Sequence, residues 1–256
     1  MKALQSVKNP VVQAARALDS ARERKRQNAF LLDGEHMVGE ALRTCPQRVQ
    51  TLFVEEGRDY AALLALAQND VYTVPGHVLA TISQVKTSQG IAAVCTLPDS
   101  TPLEKMGNRL VLLENVQDPG NVGTVLRTLD AAGFDGCVLT PGCADPFGPK
   151  ALRATMGSVF RVPICQADSA CQAVEQLNRQ GWATIAAALD GQPFYQRGSL
   201  PDQLCVLIGN EGAGLTAQTL SLCTHRYRLP MRGGAESLNA AVAAAIFMYD
   251  LTRDLP

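Results

Sequence analysis

Several features are scarce in this 256-residue chain, and each scarcity narrows what it does. The formal net charge is -1, so no global basic field announces a nucleic-acid partner. Only three histidines occur, His36, His77 and His225, too scattered to form a metal cluster, and no metal is expected. Cysteine is not scarce, but its useful spacings are. Cys137/Cys143 and Cys165/Cys171 each enclose five residues, which is neither a zinc-finger nor a redox CxxC spacing. The cysteines read instead as reduced thiols used as small core residues. No apolar run approaches membrane-spanning length, and no apolar leader follows Met1-Lys2, so the expectation is a cytoplasmic protein without a membrane partner. Aromatic residues make up 5% of the chain, which disfavours base stacking as the main grip on a nucleic acid.

What is present is a regular alternation of short β-rich runs with helical stretches, the pattern of an α/β protein. The length suits two domains. The first block, residues 1–96, should open with one amphipathic basic helix over about 10–27, followed by a strand at 29–33 and a helix over 35–44. Further strands are expected at 49–54, 71–74 and 91–95, with helices at 61–68 and 78–83 between them. The proline-bearing, weakly periodic segment 97–107 reads as a linker. The second block, residues 108–256, should carry strands at 109–116, 136–140, 160–164, 182–188, 204–208 and 227–231, and a last helix over 237–251. Crossover helices between six such strands give a mainly parallel sheet, whose ligands bind beyond the carboxyl ends of the strands. Charge is uneven. Residues 1–28 hold Lys2, Lys8, Arg16, Arg22, Arg24, Lys25 and Arg26 against only Asp19 and Glu23, a local excess suited to a polyanion.

Three glycine-bearing loops fall at expected strand ends. In Glu114–Arg127, Asp118-Pro-Gly-Asn121 is turn chemistry and Gly123 opens a helix, with Arg127 one turn in. The loop is neither GxGxxG nor a P-loop, which sets aside a dinucleotide-dependent oxidoreductase. An arginine at that place can hold a phosphate or an oxyanion. In Val206–Leu215, Gly209, Gly212 and Gly214 permit close backbone approach by a ligand, with Glu211 as the single carboxylate among them. In Arg226–Asp250, a strand runs through Gly233-Gly234 into Glu236-Ser237-Leu238-Asn239 and an alanine-rich helix, where capping side chains and free N–H groups can address a ligand.

Asn121-Val-Gly-Thr-Val-Leu-Arg127, Ile208-Gly-Asn-Glu-Gly-Ala-Gly-Leu215 and Leu229-Pro-Met-Arg-Gly-Gly-Ala-Glu-Ser-Leu-Asn239 together resemble the three ordered motifs of the SpoU/TrmH RNA 2′-O-ribose methyltransferases, of the SPOUT superfamily. Arg153-Ala-Thr-Met-Gly-Ser-Val-Phe-Arg-Val-Pro163 resembles that family's mid-domain segment. Ser6–Pro10 and Phe30–His36 look like the small α/β RNA-binding domain that many members carry first. The resemblance implies a C-terminal trefoil knot, an exception to the rule against knotted chains. It further implies S-adenosylmethionine as cofactor and a homodimer with the active site near its interface. Carried over by motif, Gly209, Asn210, Glu211, Leu229, Met231, Gly233, Ser237, Leu238 and Asn239 frame the cofactor, and the catalytic set is Arg127, Asn121, Glu211, Ser237 and Asn239. Lys8, Arg22, Arg24, Lys25, Arg26 and Arg153 are the expected RNA-binding cations. The chain departs from the pattern at Asn210, where members often carry serine, and at Ala240-Ala241, where many have valine and serine.

Methyl transfer from a sulfonium to a ribose hydroxyl is an in-line displacement, so positioning should supply much of the acceleration. Arginine, with an ordinary pKa of about 12 or higher, is an awkward base. Two roles stay open for Arg127: a base tuned by an RNA phosphate, or a cation stabilising developing alkoxide charge. The expected reaction is methylation of a ribose 2′-hydroxyl in structured RNA, ribosomal RNA ahead of transfer RNA. The alternatives are a tRNA ribose methyltransferase, or a non-catalytic RNA-binding or ribosome-assembly protein on the same fold.

Overall fold

The computed structural model describes residues 2–85 and 87–253, which form two compact units. The elements of the first 99 residues are β1 (Lys2–Ala3), α1 (Pro10–Ala17), α2 (Ala21–Gln27), β2 (Ala29–Asp33), α3 (Glu35–Thr44), β3 (Val49–Glu55), α4 (Ala61–Leu64), β4 (Asp70–Val74), α5 (Gly76–Ile82) and β5 (Ile91–Thr96). The sheet order is β1-β4-β3-β5-β2. β5 runs antiparallel to both β2 and β3, while β4 runs parallel to β1 and β3. Val12, Ala15 and Leu18 pack with Leu31, Phe53, Val74, Val78 and Leu79 to form its core.

The single basic helix expected over 10–27 is two helices. Asn9 caps α1, its side chain accepting from the Val11 N–H, and Pro10 fits the first turn, where no N–H is needed. The break falls at Leu18-Asp19-Ser20, because Asp and Ser favour caps over helix interiors. Arg24 fastens it: the guanidinium is buried and donates to the Leu18 and Asp19 carbonyls, each at 2.8 Å.

In the second half follow β6 (Arg109–Leu113), α6 (Pro119–Ala132), β7 (Gly136–Leu139), α7 (Pro149–Thr155), β8 (Ile164–Gln166), α8 (Ala170–Arg179), β9 (Ala183–Pro193), β10 (Leu204–Ile208), α9 (Ala217–Leu222), β11 (His225–Arg228) and α10 (Ala240–Thr252). The strands form one sheet in the order β11-β9-β10-β6-β7-β8, and every pairing is parallel. β6, β7 and β10 are buried along nearly their whole length, which is why they read as unbroken apolar runs. Leu110, Leu112, Val138, Val174, Leu177, Trp182, Cys205 and Leu207 share the core. All eight cysteines are free. Burial pushes the thiols of Cys137 and Cys205 up, and that of Cys223 to about 12, as expected of core residues.

Several boundaries differ from expectation. Residues 147–161, α7 included, belong to the first unit, and the second comprises 100–146 and 162–256. Phe147 packs its ring on Phe30 at 4.9 Å, and Arg161 pairs with Glu40 at 2.9 Å. The expected linker is docked from residue 100 onward: Thr101 N–H donates to the Ile164 carbonyl, and Leu103 is buried in the core of the second unit. In place of a strand at 160–164 there is a 3₁₀ turn at Ser158–Phe160, then β8. β9 continues to Pro193 rather than ending near 188. Its register with β11 jumps: Arg226 pairs with Ala186, but Tyr227 with Gln192, so residues 187–191 leave the ladder. Gly191 is needed there, since a Cβ would lie 2.7 Å from the Arg226 and Tyr227 backbone.

Candidate active site

The exits of β9, β10 and β11 and the approach to α10 enclose a cavity of about 400 Å³. The β9 residues that fall out of register with β11, Ala187 to Asp190, form one wall. Gly209, Asn210, Glu211 and Gly212 form another, and Leu229, Met231, Ser237 and Leu238 a third, with Phe247 of α10 behind. The cavity lies beyond the carboxyl ends of parallel strands, where such sheets take ligands. Its volume falls in the range of roughly 300–1,000 Å³ common for small-molecule sites.

The second loop folds onto itself. Asn210 N–H donates to the Gly214 carbonyl at 3.1 Å and Gly214 N–H returns the bond at 2.8 Å. Gly209 is where the chain doubles back so closely that a Cβ would lie 2.1 Å from the Gly214 carbonyl carbon. Asn210 does more than a serine could. Its Oδ1 accepts from the N–H groups of Gly212 and Ala213, while its Nδ2 donates to the Asn115 carbonyl at 2.9 Å. A hydroxyl is too short to span both tasks. Behind the loop, Glu114 is a buried carboxylate that accepts from Thr216 N–H, Thr216 Oγ1 and Thr219 Oγ1 at 2.9, 3.0 and 2.7 Å. It anchors the start of α9 to the end of β6. Sequence reasoning gave Glu114 no role, because its partners lie about a hundred residues away.

One chain of hydrogen bonds joins the three loops. Asn239 Nδ2 donates to Asn121 Oδ1 at 2.9 Å, and Asn121 Nδ2 donates to Glu211 Oε1 at 2.9 Å. Glu211 also accepts from the backbone N–H groups of Gln117 and Asp118, at 3.2 and 3.1 Å. Asn121 is buried at the start of α6, which Pro119 opens and the Asp118 side chain caps. Partial burial pushes the Glu211 carboxyl up, but the bonds from Asn121 and from the Glu211, Asp118 and Gln117 amides outweigh it and hold the group below the ordinary carboxylate value. Glu211 is therefore an acceptor that organises, and a weak base.

Not every expected residue reaches the cavity. Gly209, Asn210, Glu211, Leu229, Met231, Ser237 and Leu238 line it; Gly233 and Asn239 do not. Asn239, rather than Ser237, caps the last helix, its Oδ1 accepting from the Ala241 and Val242 N–H groups. Ser237 stands exposed in the run-in. α6 begins at Pro119 instead of Gly123, so Arg127 is two turns in. Six residues beyond Asn121, it points to a different face, and it is exposed and outside the cavity lining. Among the expected RNA-binding cations, Lys8, Arg22, Lys25 and Arg153 are exposed. Arg26 is exposed but ion-paired to Glu23 at 2.6 Å. Arg24 does not belong in that set, since its guanidinium is buried against backbone carbonyls. No group of residues suited to hold a metal ion occurs among the described residues, and no helix there is long and apolar enough to cross a membrane.

Residues 108–249 match the SpoU rRNA Methylase family, and residues 9–93 match an MRM3-like substrate binding domain. This chain belongs to the SpoU rRNA methylase family. Among its SpoU relatives, the 23S rRNA (guanosine(2553)-2′-O)-methyltransferase RlmP of Bacillus subtilis is 37% identical over 253 residues, covering 98% of this chain and 99% of that one. The 23S rRNA (guanosine-2′-O-)-methyltransferase RlmB of Coxiella burnetii is 29% identical over 235 residues, 86% of this chain and 94% of that one. The crystal structure of an AdoMet-bound rRNA methyltransferase from Sinorhizobium meliloti superposes with a TM-score of 0.86 at 30% identity, over 100% of this chain and 98% of that one. The Asn239–Asn121–Glu211 chain of hydrogen bonds thus joins three segments of the matched stretch that are far apart in sequence.

Proposed function

We propose that the protein transfers the methyl group of S-adenosylmethionine to a ribose 2′-hydroxyl of ribosomal RNA, in the compartment where ribosomes are assembled. The observation that carries this reading is the cavity at the ends of β9, β10 and β11, held in shape by the Asn239–Asn121–Glu211 chain. Its lining fits the cofactor. Ile208, Leu229, Met231, Leu238 and Phe247 offer an apolar bed for a purine, and Gly209 and Gly212 place bare backbone in the cavity wall, where it can meet the purine's polar edge. The cofactor supplies an electrophilic methyl carbon on a sulfonium. The residues of this chain supply orientation: Asn121, Glu211 and Asn239 fix the three loops, and Ser237 presents a hydroxyl at the cavity wall. The return of the chain from β11 into α10 is read as the trefoil knot expected of this family.

Arg127 acts on the ribose hydroxyl, and in a second copy of the chain. Two features support that assignment. The guanidinium is exposed and outside its own cavity lining. In addition, α10, apolar from Ala240 to Tyr249, leaves Val242, Ala245, Ile246 and Tyr249 wholly or partly uncovered at helical spacing, a second apolar stripe suited to a homodimer. At the reacting oxygen the guanidinium either takes the proton or stabilises the developing alkoxide. RNA is recruited by the cations of the first unit.

The deciding experiment is methyl transfer from tritiated S-adenosylmethionine into rRNA from cells lacking the protein, followed by nucleoside analysis. A labelled 2′-O-methyl nucleoside is expected. A label on a base, or none on intact ribosomal subunits and free rRNA alike, would overturn the reading. Arg127→Ala should abolish transfer with cofactor affinity unchanged. Mixed dimers of Arg127→Ala and Asn121→Ala chains should recover part of the activity, which sites complete within one chain would not do.

A further inference from the structure

The first unit holds a second concavity, which brings Arg16 of the basic run together with two cations of α7. It is an open cleft of about 720 Å³, lined by Arg16 and Asp19, by Thr81 to Val85, and by Pro149, Lys150 and Arg153. Arg16 comes from the last turn of α1, while Lys150 and Arg153 come from α7, more than 130 residues later. All three cations are exposed at the cleft. Asp19 is its one carboxylate, and accepts from Gln84 Nε2 at 3.4 Å. The rim is fixed from behind by Asp33, whose Oδ2 accepts from Ser83 Oγ at 2.6 Å and from Gln84 N–H at 2.7 Å.

Two of the four cations on α2 are committed to the fold. Arg24 is buried against the Leu18 and Asp19 carbonyls, and Arg26 is paired with Glu23. Cations gathered in a concave, low-dielectric wall focus potential more strongly than the same charges spread around a convex helix. A forked guanidinium also matches a phosphate bidentately, and Arg16 and Arg153 offer two such forks from two different helices.

We propose that this cleft takes the sugar–phosphate backbone of the RNA substrate, with Arg16 and Arg153 as its phosphate ligands, Lys150 beside them, and Ser83 and Gln84 as the polar rim. The inference rests on the rRNA reading above and gives the RNA-binding surface a definite place. It also assigns α7, which lies within the stretch matching the methylase family, to RNA capture.

The test is equilibrium binding of the full-length protein to protein-free 23S rRNA across a salt series, for wild type, Arg16→Ala/Arg153→Ala and Arg22→Ala/Lys25→Ala. Loss of two phosphate contacts should lower the slope of log affinity against log salt by roughly 1.4–1.8. The α2 pair, which lies outside the cleft, should lower it by less. S-adenosylmethionine binding, whose cavity lies in the other unit, is measured alongside to show that each variant is folded. An unchanged slope in Arg16→Ala/Arg153→Ala, with wild type binding normally, overturns the cleft and leaves the rRNA reading standing. Failure of the wild type to bind the rRNA at all overturns both. If the double substitution proves unstable, Arg153→Lys serves instead, because it keeps the charge but loses the fork: weaker binding at an unchanged salt slope is expected, and unaltered affinity counts against the cleft.

Discussion

Asn121 is the residue on which the site turns. It is buried, takes a bond from Asn239 and gives one to Glu211, so replacing it strands a partner on each side. Asn121→Ala should cost about 1–3 kcal/mol in loop order, read as a ~5–150-fold weaker Kd for S-adenosylmethionine by calorimetry. Gly209→Ala should be worse for the fold than for chemistry, since its Cβ meets backbone rather than a movable side chain. A loss of about 2 kcal/mol or more is expected in chemical denaturation. Glu211 adds a pH dependence whose sign follows from its depressed pKa. Its contribution to loop order is complete above the ordinary carboxylate pKa, 4.5, and disappears as the pH falls through the lower value of the folded state. Cofactor affinity should therefore fall in acid, and Glu211→Gln should flatten that acid limb while weakening binding at neutral pH.

At the scale of elements, α10 is the most informative. Its alanine-rich sequence reads equally well as an internal core helix or as a dimer contact, and the structure buries one face of it while leaving another uncovered. Ala241, Ala244, Phe247 and Met248 are buried, while Val242 and Tyr249 stand out. Val242→Asp with Tyr249→Asp should give a monomer in sedimentation or light scattering, with methyl transfer lost and secondary structure retained. The same contrast explains what was legible in the sequence. The buried parallel strands announced themselves because β6 and β10 are apolar on both faces. The loops did so because glycines and caps are local chemistry. The split between α1 and α2 was hidden, since an inward Arg24 looks like every other arginine in a basic run. The jump in register between β9 and β11 was hidden too, because Ala187 to Asp190 carry no mark of having left the ladder. The place of Arg127 off the cavity and the partners of Glu114 depend on chain segments that only folding brings together.

For the whole molecule, the main departure from a two-block reading is the excursion of residues 147–161 into the first unit. Phe147, Ala151, Leu152 and Val159 are buried there, with Phe147 on Phe30. A fragment beginning at residue 97 should therefore expose those side chains and aggregate or bind a hydrophobic dye, although it spans the entire family match. A fragment ending at residue 96 should lose stability for the complementary reason, a lower midpoint in urea than the first unit shows within the full chain. Because a ribosome releases the chain from its N-terminus, this excursion also sets a timetable. The first unit cannot close until residue 161 has emerged, by which time β6, α6 and β7 are already outside. Two bodies that look sequential on paper must be completed in an interleaved order, and the nascent protein waits, with the Phe30 side of its first sheet uncovered, for a strip of chain that arrives late.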